Sequence, residues 1–386
     1  ACPPLLNPCT LDAHEDISLK PSILQVLPAL NMGGVERGTL EIGRALVAAG
    51  YQSTVLSNGG PMVTQLIAEG SDHITLPVHR KSLVSLKLVR PLRELLQNYD
   101  LVHVRSRLPA WLIYLAWRGM PQHARPRLVS TVHGRYSVNK YSAVMTKGEI
   151  VIAISENVRD YILQNYPNVP AERIQLIHRG VDPLSFPRDY QPTSKWLTNW
   201  QQQHPQLIGR NLLALPGRVS RWKGHETFLR LIANLKEDPD IHGLVIGGAE
   251  KKQQRFLHQL HELTNQLGIE NRVTFLGARQ DIREVMSQCS IIYNLSTQPE
   301  PFGRTMIEAL SLGKRVVAWA YGGAAESVGE LFPQGLVPSA DEAALAAQTQ
   351  SLLADDSAQP LTNTFVLERM QQQTVKVYED LLAAKV

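Results

Sequence analysis

The sequence predicts an α/β chain with two domains, each built on a parallel β-sheet. Over most of the 386 residues, short apolar segments of strand character alternate with amphipathic segments of helical periodicity. Such alternation is typical of parallel sheets whose connecting helices cover both faces. The pattern stops near Pro183 and resumes at Asn211, and the residues between are rich in Pro, Gln and Trp. We therefore predict a first domain at 21–182, a linker at 183–208 and a second domain at 209–362.

The predicted elements follow one another regularly in both domains. In the first, strands are predicted at 22–27, 52–57, 73–76, 100–105, 127–132, 150–154 and 174–177. Helices are predicted at 35–49, 83–97, 110–117 and 156–164, and a further helix ends at 69. In the second, strands are predicted at 211–215, 243–246, 273–276, 290–295 and 315–318, with helices at 225–236, 253–267, 281–288 and 301–312. A last amphipathic helix is predicted at 363–386, and residues 1–20 are predicted to form a loose leader.

Composition and charge restrict the classes of function. Hydrophobic residues make up 44% and charged residues 19% of the chain, and no apolar run approaches the ~20 residues of a membrane span. The first residues lack the basic end and apolar core of a signal peptide. Cys2, Cys9 and Cys289 are odd in number and have no metal-binding spacing, which predicts reduced thiols and a cytoplasmic location. A net charge of +4 is too small to predict nucleic-acid binding.

The charge is concentrated in the first half of the chain. Residues 1–182 contain 19 Lys or Arg and 14 Asp or Glu, whereas the remainder contains 20 and 21. From Arg80 to Lys147 there are 13 basic residues and only two acidic ones. The first domain is therefore expected to bind an anion.

The segment 290–313 contains two glutamates around a predicted helix start. An apolar strand leads into Glu300-Pro301-Phe302-Gly303, and apolar residues then recur at helical spacing. Pro301 suits the first helical position, where its missing N–H costs nothing. Glu308 would then lie roughly 12 Å from Glu300 along the helix axis. This exceeds the ~5–9.5 Å between paired carboxylates that cleave a glycosidic bond.

The two glutamates are better suited to binding separate parts of one long ligand. A carboxylate accepts two hydrogen bonds, which matches the vicinal hydroxyls of a sugar or a ribose. Between the acids, the backbone amides of Gly303, Arg304 and Thr305 would face an anion at the positive end of the helix.

Two other turns have features of phosphate binding. Gly33-Gly34 follows the first strand and precedes a helix, where glycines let backbone amides approach a phosphate. This turn is neither the Gly-x-Gly-x-x-Gly pattern nor a P-loop. After the first strand of the second domain, Arg218 and Lys223 lie five residues apart within Gly217-Arg218…Lys223-Gly224. Two cations in a turn before a helix suit a diphosphate.

The edge of the first sheet should gather several of these residues. Ligands bind beyond the carboxyl ends of parallel strands, which places Gly33, Gly34, Arg105 and His133 on one rim. His133 ends a strand and precedes Gly134. Taken alone, a histidine in such a place is more often an ordinary loop residue.

Together these motifs resemble the family-4 retaining glycosyltransferases, including those that build bacterial lipopolysaccharide cores and other surface glycans. The counterparts are Glu-Pro-Phe-Gly with a second Glu after seven intervening residues, the Gly-Gly loop, the Gly-Arg…Lys-Gly turn and the His-Gly pair. The resemblance extends over nearly the whole chain. It implies the GT-B fold, in which two Rossmann-like domains face each other and the C-terminal helix crosses back to the first domain.

The resemblance also implies roles for individual residues. The donor would be a nucleotide diphosphate sugar, with a UDP-sugar favoured. The implied donor-binding residues are Gly33, Gly34, Arg218, Lys223, Gly303, Arg304, Thr305 and Glu308, and the implied catalytic residues are Glu300, His133, Arg218 and Lys223. In this scheme Glu300 holds the transferred sugar, Glu308 holds the ribose, and the two cations neutralise the leaving diphosphate.

The predicted activity is therefore retaining transfer of a sugar to a hydroxyl of a glycan or glycolipid, in lipopolysaccharide or other surface-polysaccharide synthesis. No Asp-x-Asp motif or ligand cluster predicts a required metal, and no cofactor is predicted. A nucleotide-sugar epimerase of the same architecture remains an alternative, although no convincing acid/base pair is found for it. A catalytically silent sugar-nucleotide-binding subunit also remains open, but it would be expected to lose Arg218, Lys223 or a glutamate.

A basic and apolar stretch at 79–96 predicts peripheral contact with an anionic membrane. A helix of this composition places its apolar side on lipid and its cations on headgroups. The same leucines and valines would equally suit packing against the sheet, with the cations in water. The predicted acceptor-facing or membrane-facing residues are Lys81, Lys87, Arg90, Arg93, Arg105 and Arg135.

Overall fold

Two parallel β-sheets organise the described residues, 20–384, of the computed structural model. The strands of the first sheet are β1 (Ser22–Val26), β2 (Gln52–Ser57), β3 (Asp72–Thr75), β4 (Leu101–Val104), β5 (Arg127–Val132), β6 (Ile150–Ala153) and β7 (Ile174–Leu176). Those of the second are β8 (Asn211–Pro216), β9 (Ile241–Ile246), β10 (Val273–Gly277), β11 (Ile291–Asn294), β12 (Arg315–Trp319) and β13 (Leu336–Val337). The strand orders are β3-β2-β1-β4-β5-β6-β7 and β10-β9-β8-β11-β12-β13. The predicted α/β architecture with two parallel-sheet domains is confirmed.

Helices connect the strands and cover both sheets. They are α1 (Gly34–Ala48), α2 (Val63–Ala68), α3 (Val89–Leu96), α4 (Arg107–Arg118), α5 (Glu156–Asn165), α6 (Ser194–Gln203), α7 (His225–Asn234), α8 (Gln254–Leu267), α9 (Ile282–Ser287), α10 (Arg304–Ser311), α11 (Gly322–Leu331), α12 (Glu342–Ala354) and α13 (Leu367–Ala383). Central strands such as β9 are buried along their whole length. Their continuous apolar sequences fit strands that are covered on both faces.

The last helix, α13, packs against the first domain. The phenol oxygen of Tyr378 on α13 lies 2.6 Å from Nδ1 of the buried His103 on β4. Gln371 Nε2 donates to the backbone oxygen of Glu41 on α1 at 2.7 Å. A bridge between Val181 and Val366 marks the point where the chain returns. The predicted crossing of the C-terminal helix is therefore confirmed.

The segment 183–208 contains structure of its own. Helix α6 lies within it, with the rings of Trp196 and Trp200 stacked at 5.2 Å. Trp196 Nε1 donates to Asp281 of the second domain at 2.8 Å. The tryptophans that mark this stretch in the sequence thus pack it onto the second domain.

Several predicted elements differ from the structure. The helix expected at 83–97 consists of a 3-10 segment, Leu83–Leu88, followed by α3. Helix α10 begins at Arg304, so the prediction that Pro301 opens it is wrong. Sequence analysis assigned nothing at 319–362, where the structure has α11, β13 and α12.

The predicted leader, apart from Lys20, lies outside the described residues, as do Cys2 and Cys9. Cys289 is buried, and burial raises the pKa of its thiol to about 12. Within 20–384, no helix combines the length and apolar character that crossing a membrane requires.

Candidate active site

The two domains meet at the segments that follow their central strands. Gly134, just after β5, is so close to the second domain that an added Cβ would lie 3.2 Å from Pro301 Cγ. On α1, after β1, Arg37 Nη1 donates to Glu308 Oε1 of α10 at 3.0 Å. The carboxyl ends of the two sheets therefore bring the Gly-Gly turn, His133 and the two-glutamate segment to one interdomain boundary.

Glu300 is paired with Lys223 inside the second domain. Lys223 Nζ lies 2.6 Å from Glu300 Oε2, and the two side chains are 21% and 14% exposed. Ser296 Oγ donates to the same carboxylate oxygen at 3.0 Å. Gly224 has a φ of +79°, and any Cβ there would collide with the backbone oxygen of Leu295. Only glycine fits this turn, which sets Lys223 beside Glu300.

Phe302 anchors the segment that contains Glu300. Its ring is buried and lies 5.7 Å from the ring of His178 and 5.6 Å from that of Phe365. Gly303 follows with a φ of +81° and caps α10. This left-handed turn, favourable only for glycine, is the reason that the helix begins at Arg304. The roughly 12 Å separation predicted for one continuous helix therefore does not apply.

The amides of Gly303, Arg304 and Thr305 nevertheless surround the start of α10. An α-helix leaves the N–H groups of its first turn without intrahelical partners. The Arg304 side chain points elsewhere, because its Nη1 donates to Glu41 Oε2 on α1 at 3.0 Å. Arg304 thus offers a backbone donor to a ligand, while its guanidinium joins the two domains.

Glu308 lies in a buried, charged network. Its carboxylate accepts hydrogen bonds from Arg37 at 3.0 Å and from Arg304 Nε at 3.3 Å. Only 5% of the residue is exposed. Burial raises the pKa of Glu308, although the charges of Arg304 and Arg37 lower it.

Arg218 is the most accessible cation of the site. Its side chain is 79% exposed, and Nη1 lies 3.1 Å from Glu250 Oε1. An exposed pair of this kind contributes little to stability, so Arg218 can exchange its partner at low cost. Arg221, three residues later, is also exposed, but it lies over the Phe256 ring at 4.7 Å.

The Gly-Gly turn faces the second domain. Gly33 caps α1 with an extended backbone, and open space surrounds the position that a Cβ on Gly34 would take. The carboxylate of Glu36 lies over Gly33. Burial raises the pKa of Glu36, whereas the charge of Arg218 lowers it. Arg37, four residues after Gly33, donates to Glu308 of α10, so the turn lies beside the second domain.

His133 is half-buried and contacts a buried cationic cluster in the first domain. Its Nδ1 lies 2.5 Å from Arg179 Nη2, in the segment after β7. Arg105, at the end of β4, is 2% exposed, and its Nε donates to Gln25 Oε1 at 2.9 Å. Burial, with the charges of Arg179 and Arg105, holds the pKa of His133 well below its usual value.

The basic face predicted at 79–96 is only partly exposed. Lys81, Lys87 and Arg90 are exposed, and so is Arg135 in the loop after β5. Arg93 is half-buried, because its guanidinium packs against Gly119 at the end of α4. Arg105 is buried, so its assignment to an acceptor-facing or membrane-facing surface is wrong.

Sequence analysis missed four charged residues of this boundary. Arg37 and Glu41 lie one turn apart on α1 just after the Gly-Gly turn, a spacing that could have marked them. Arg179 had a weaker signal, a cation just beyond a strand end. Glu326 on α11 had none, yet its carboxylate accepts from the backbone N–H groups of Glu156 and Asn157 at 2.8 and 2.7 Å.

Comparison with known proteins identifies the family. The model for Glycosyltransferase Family 4 matches residues 32–183, and the model for Glycosyl transferases group 1 matches residues 198–365. A solved glycosyltransferase from Rickettsia africae ESF-5 is 30% identical, with a TM-score of 0.84 over 94% of this chain and 99% of that one. The chain belongs to glycosyltransferase family 4. The resemblance predicted from the motifs is confirmed.

Two further relatives of this family-4 glycosyltransferase extend the comparison. The D-inositol 3-phosphate glycosyltransferase of Mycobacterium ulcerans is 26% identical over 382 residues, which is 92% of this chain and 77% of that protein. Anabaena HepE, solved in complex with UDP and glucose, is 23% identical, with a TM-score of 0.79 over 93% of this chain and 99% of that one. The shared architecture is the GT-B fold, as predicted.

Proposed function

We propose that this family-4 glycosyltransferase moves a sugar, with retention of configuration, from a UDP-sugar to a hydroxyl of a glycan or glycolipid. The pathway we propose is the synthesis of lipopolysaccharide or another surface polysaccharide. The observation that carries the proposal is the convergence of Lys223, Glu300 and Glu308 with the Gly-Gly turn at one interdomain boundary. The similarity to a D-inositol 3-phosphate glycosyltransferase supports the class of reaction.

Donor binding would use both domains. We place the diphosphate against Gly33, Gly34 and the first amides of α10, with Arg218 and Lys223 as counter-charges. The ion pair between Lys223 and Glu300 then has to open, and each partner exchanges the other for a part of the donor. Glu300 would turn to the hydroxyls of the sugar, and Glu308 would accept hydrogen bonds from the ribose.

The chemical step would be the substitution of the phosphate at the anomeric carbon. The bond from that carbon to the phosphate oxygen breaks, and its electron pair stays on the diphosphate. The acceptor oxygen bonds to the same face of the sugar, and its proton passes to the departing phosphate oxygen. Arg218, Lys223 and the α10 amides would stabilise the charge that develops. In this proposal they supply the positive charge without a metal ion or another cofactor.

Retention follows from front-face attack, which the family resemblance implies. Glu300 is held by Lys223 and Ser296, an arrangement that suits hydrogen bonding to hydroxyls. The proposed mechanism therefore assigns it a binding role and uses no covalent sugar intermediate.

A binding and turnover experiment tests the function. A panel of nucleotide sugars is screened for thermal stabilisation, since a ligand that binds the folded state raises Tm. The donor that stabilises most is then incubated alone and with candidate acceptors, and the anomeric configuration of the product is determined by NMR. Arg218→Ala should lose on the order of 10² in turnover, whereas the matched change Arg221→Ala should have little effect.

Three outcomes would overturn parts of the proposal. Epimerisation of the donor without an acceptor would favour the epimerase. Binding without turnover across a broad acceptor panel would favour the silent subunit. A product of inverted configuration would exclude front-face attack.

We propose that the acceptor is reached at the cytoplasmic face of an anionic membrane. Val84 is 65% exposed and Leu86 is 49% exposed, beside the exposed Lys81, Lys87 and Arg90. Apolar side chains flanked by cations suit a surface of acidic headgroups, where each Lys or Arg contributes about 1 kcal/mol.

A flotation assay with vesicles that contain acidic lipid tests this contact. Replacement of Lys81, Lys87 and Arg90 by serine should abolish binding at low salt. The matched control replaces the exposed Lys251, Lys252 and Arg255 of the second domain, which removes the same charge. Loss of binding in both variants, or in neither, would contradict a specific surface.

A further inference from the structure

We propose that Arg179 is a positioning residue that holds His133 as a neutral ring with its proton on Nε2, so that His133 donates a hydrogen bond to a substrate oxygen. The identity of that oxygen, on a sugar hydroxyl or a phosphate, depends on the function proposed above. The protonation state of the ring does not depend on that function.

The contact between the two side chains determines the direction of the hydrogen bond. Arg179 Nη2 lies 2.5 Å from His133 Nδ1. A guanidinium has five N–H donors and no acceptor, so Nδ1 must accept. A neutral imidazole with an accepting Nδ1 carries its proton on Nε2.

The surroundings of the ring favour the neutral form. Burial disfavours a charged ring, and so do the charges of Arg179 after β7, of Arg105 just after β4 and of His103 on β4. In its own loop, Tyr136 Oη accepts from the backbone N–H of His133 at 3.3 Å. Burial lowers the pKa of Arg179. The charge of Glu41 on α1 raises this pKa, and the charge of Arg304 in the second domain lowers it. A second proton on His133 would add a charge next to buried guanidiniums.

The other ring nitrogen is left without a protein partner. His133 Nε2 is buried and has no hydrogen-bond partner among residues 20–384. Buried polar atoms are nearly always paired, and the next residue, Gly134, contacts Pro301 across the boundary. His133 thus directly precedes a residue that contacts the segment containing Glu300, and a substrate bound at this boundary would accept from the unpaired N–H.

This assignment excludes one role and predicts another. A histidine that acts as general base must accept a proton on its free nitrogen near neutral pH. Here the nitrogen free of protein contacts already holds its proton, so it can only donate. His133 would thus bind or polarise a substrate oxygen through a donor whose state does not change with pH.

The first test is 15N NMR of the full-length protein labelled at histidine, with His133→Ala used to assign the resonances. The expected spectrum has a pyridine-type nitrogen at Nδ1 and a pyrrole-type nitrogen at Nε2. Both should stay unchanged from about pH 8 to about pH 5.5, a range in which an ordinary histidine titrates. In Arg179→Met the ring should titrate within this range. A pyrrole-type Nδ1 in the wild type, or titration identical in wild type and variant, would overturn the proposal.

The second test separates positioning from a structural role. His133→Gln places an amide N–H near the position of Nε2, so its kcat/KM should exceed that of His133→Ala by on the order of tenfold. Equal values for the two would overturn the donor role. Arg179→Lys keeps a donor and a positive charge beside Nδ1, so it should keep the ring neutral and preserve most activity. Arg179→Gln, which removes the charge, takes the place of Arg179→Met in the NMR test should that variant fail to fold. Because the NMR result requires no turnover, an inactive protein with the expected spectrum would refute the proposed function and leave this inference intact.

Discussion

The ion pair between Lys223 and Glu300 permits a test that separates catalysis from stability. We consider Lys223→Met, which keeps most of the side-chain volume and removes the charge. Among the described residues, Glu300, 14% exposed, would retain only the side-chain hydrogen bond from Ser296 at 3.0 Å. Loss of a partner leaves a charged group partly desolvated, so the variant should be less stable.

The expected magnitude follows from the exposure of the pair. Removing one partner of a fully buried pair costs about 3–5 kcal/mol. Because Lys223 is 21% exposed, water and Ser296 should compensate in part, and we expect a loss of about 1–2 kcal/mol in the free energy of unfolding. Turnover should fall on the order of 10², because the counter-charge of the leaving diphosphate is gone.

The double variant Lys223→Met/Glu300→Gln distinguishes the two effects. It removes both charges, so stability should return close to the wild-type value, whereas turnover should stay low. Urea unfolding measures the first quantity and nucleotide release in the presence of acceptor measures the second, with the exposed Lys236→Met as control. Recovery of turnover together with stability would show that the pair is structural only. Near-normal turnover in folded Lys223→Met would refute the proposed leaving-group role.

Three further predictions concern the glutamates of the boundary. By calorimetry, Glu308→Ala should weaken UDP binding on the order of tenfold, whereas Glu300→Ala should leave it nearly unchanged; the reverse pattern would mean that the two acids exchange roles. Because burial raises the pKa of Glu308 above its ordinary value of 4.5, its contribution to stability is fully present below that value and is lost as pH rises through the folded-state pKa. Glu308→Gln should therefore raise Tm at pH 7 by an amount that shrinks towards pH 4.5, and an equal gain at both values would contradict this. Glu326→Ala removes the interdomain acceptor at the start of α5, so amide exchange at 156–157 should accelerate by on the order of tenfold, a result that Glu330→Ala on the same helix should not reproduce.

The order of strands and helices could be predicted because periodicity is a local property. Apolar runs such as β9 and the amphipathic helices between strands have patterns that hold wherever the segment lies. The helix start at Arg304 was missed for a local reason too. Pro301 is compatible with a first helical turn, but the left-handed backbone at Gly303 places that turn three residues later.

Short motifs are enough to predict which residue types could bind a sugar nucleotide, since Arg218, Lys223 and the two glutamates all occur within them. How these residues are paired depends on the tertiary structure. Arg37 and Glu308 are 271 positions apart, and Arg304 and Glu41 are 263 apart. Likewise, Arg179 meets His133 only because β5 and β7 end at the same edge of one sheet. Periodicity specifies the secondary structure of each segment, but the charged partner of a side chain depends on how the two domains pack.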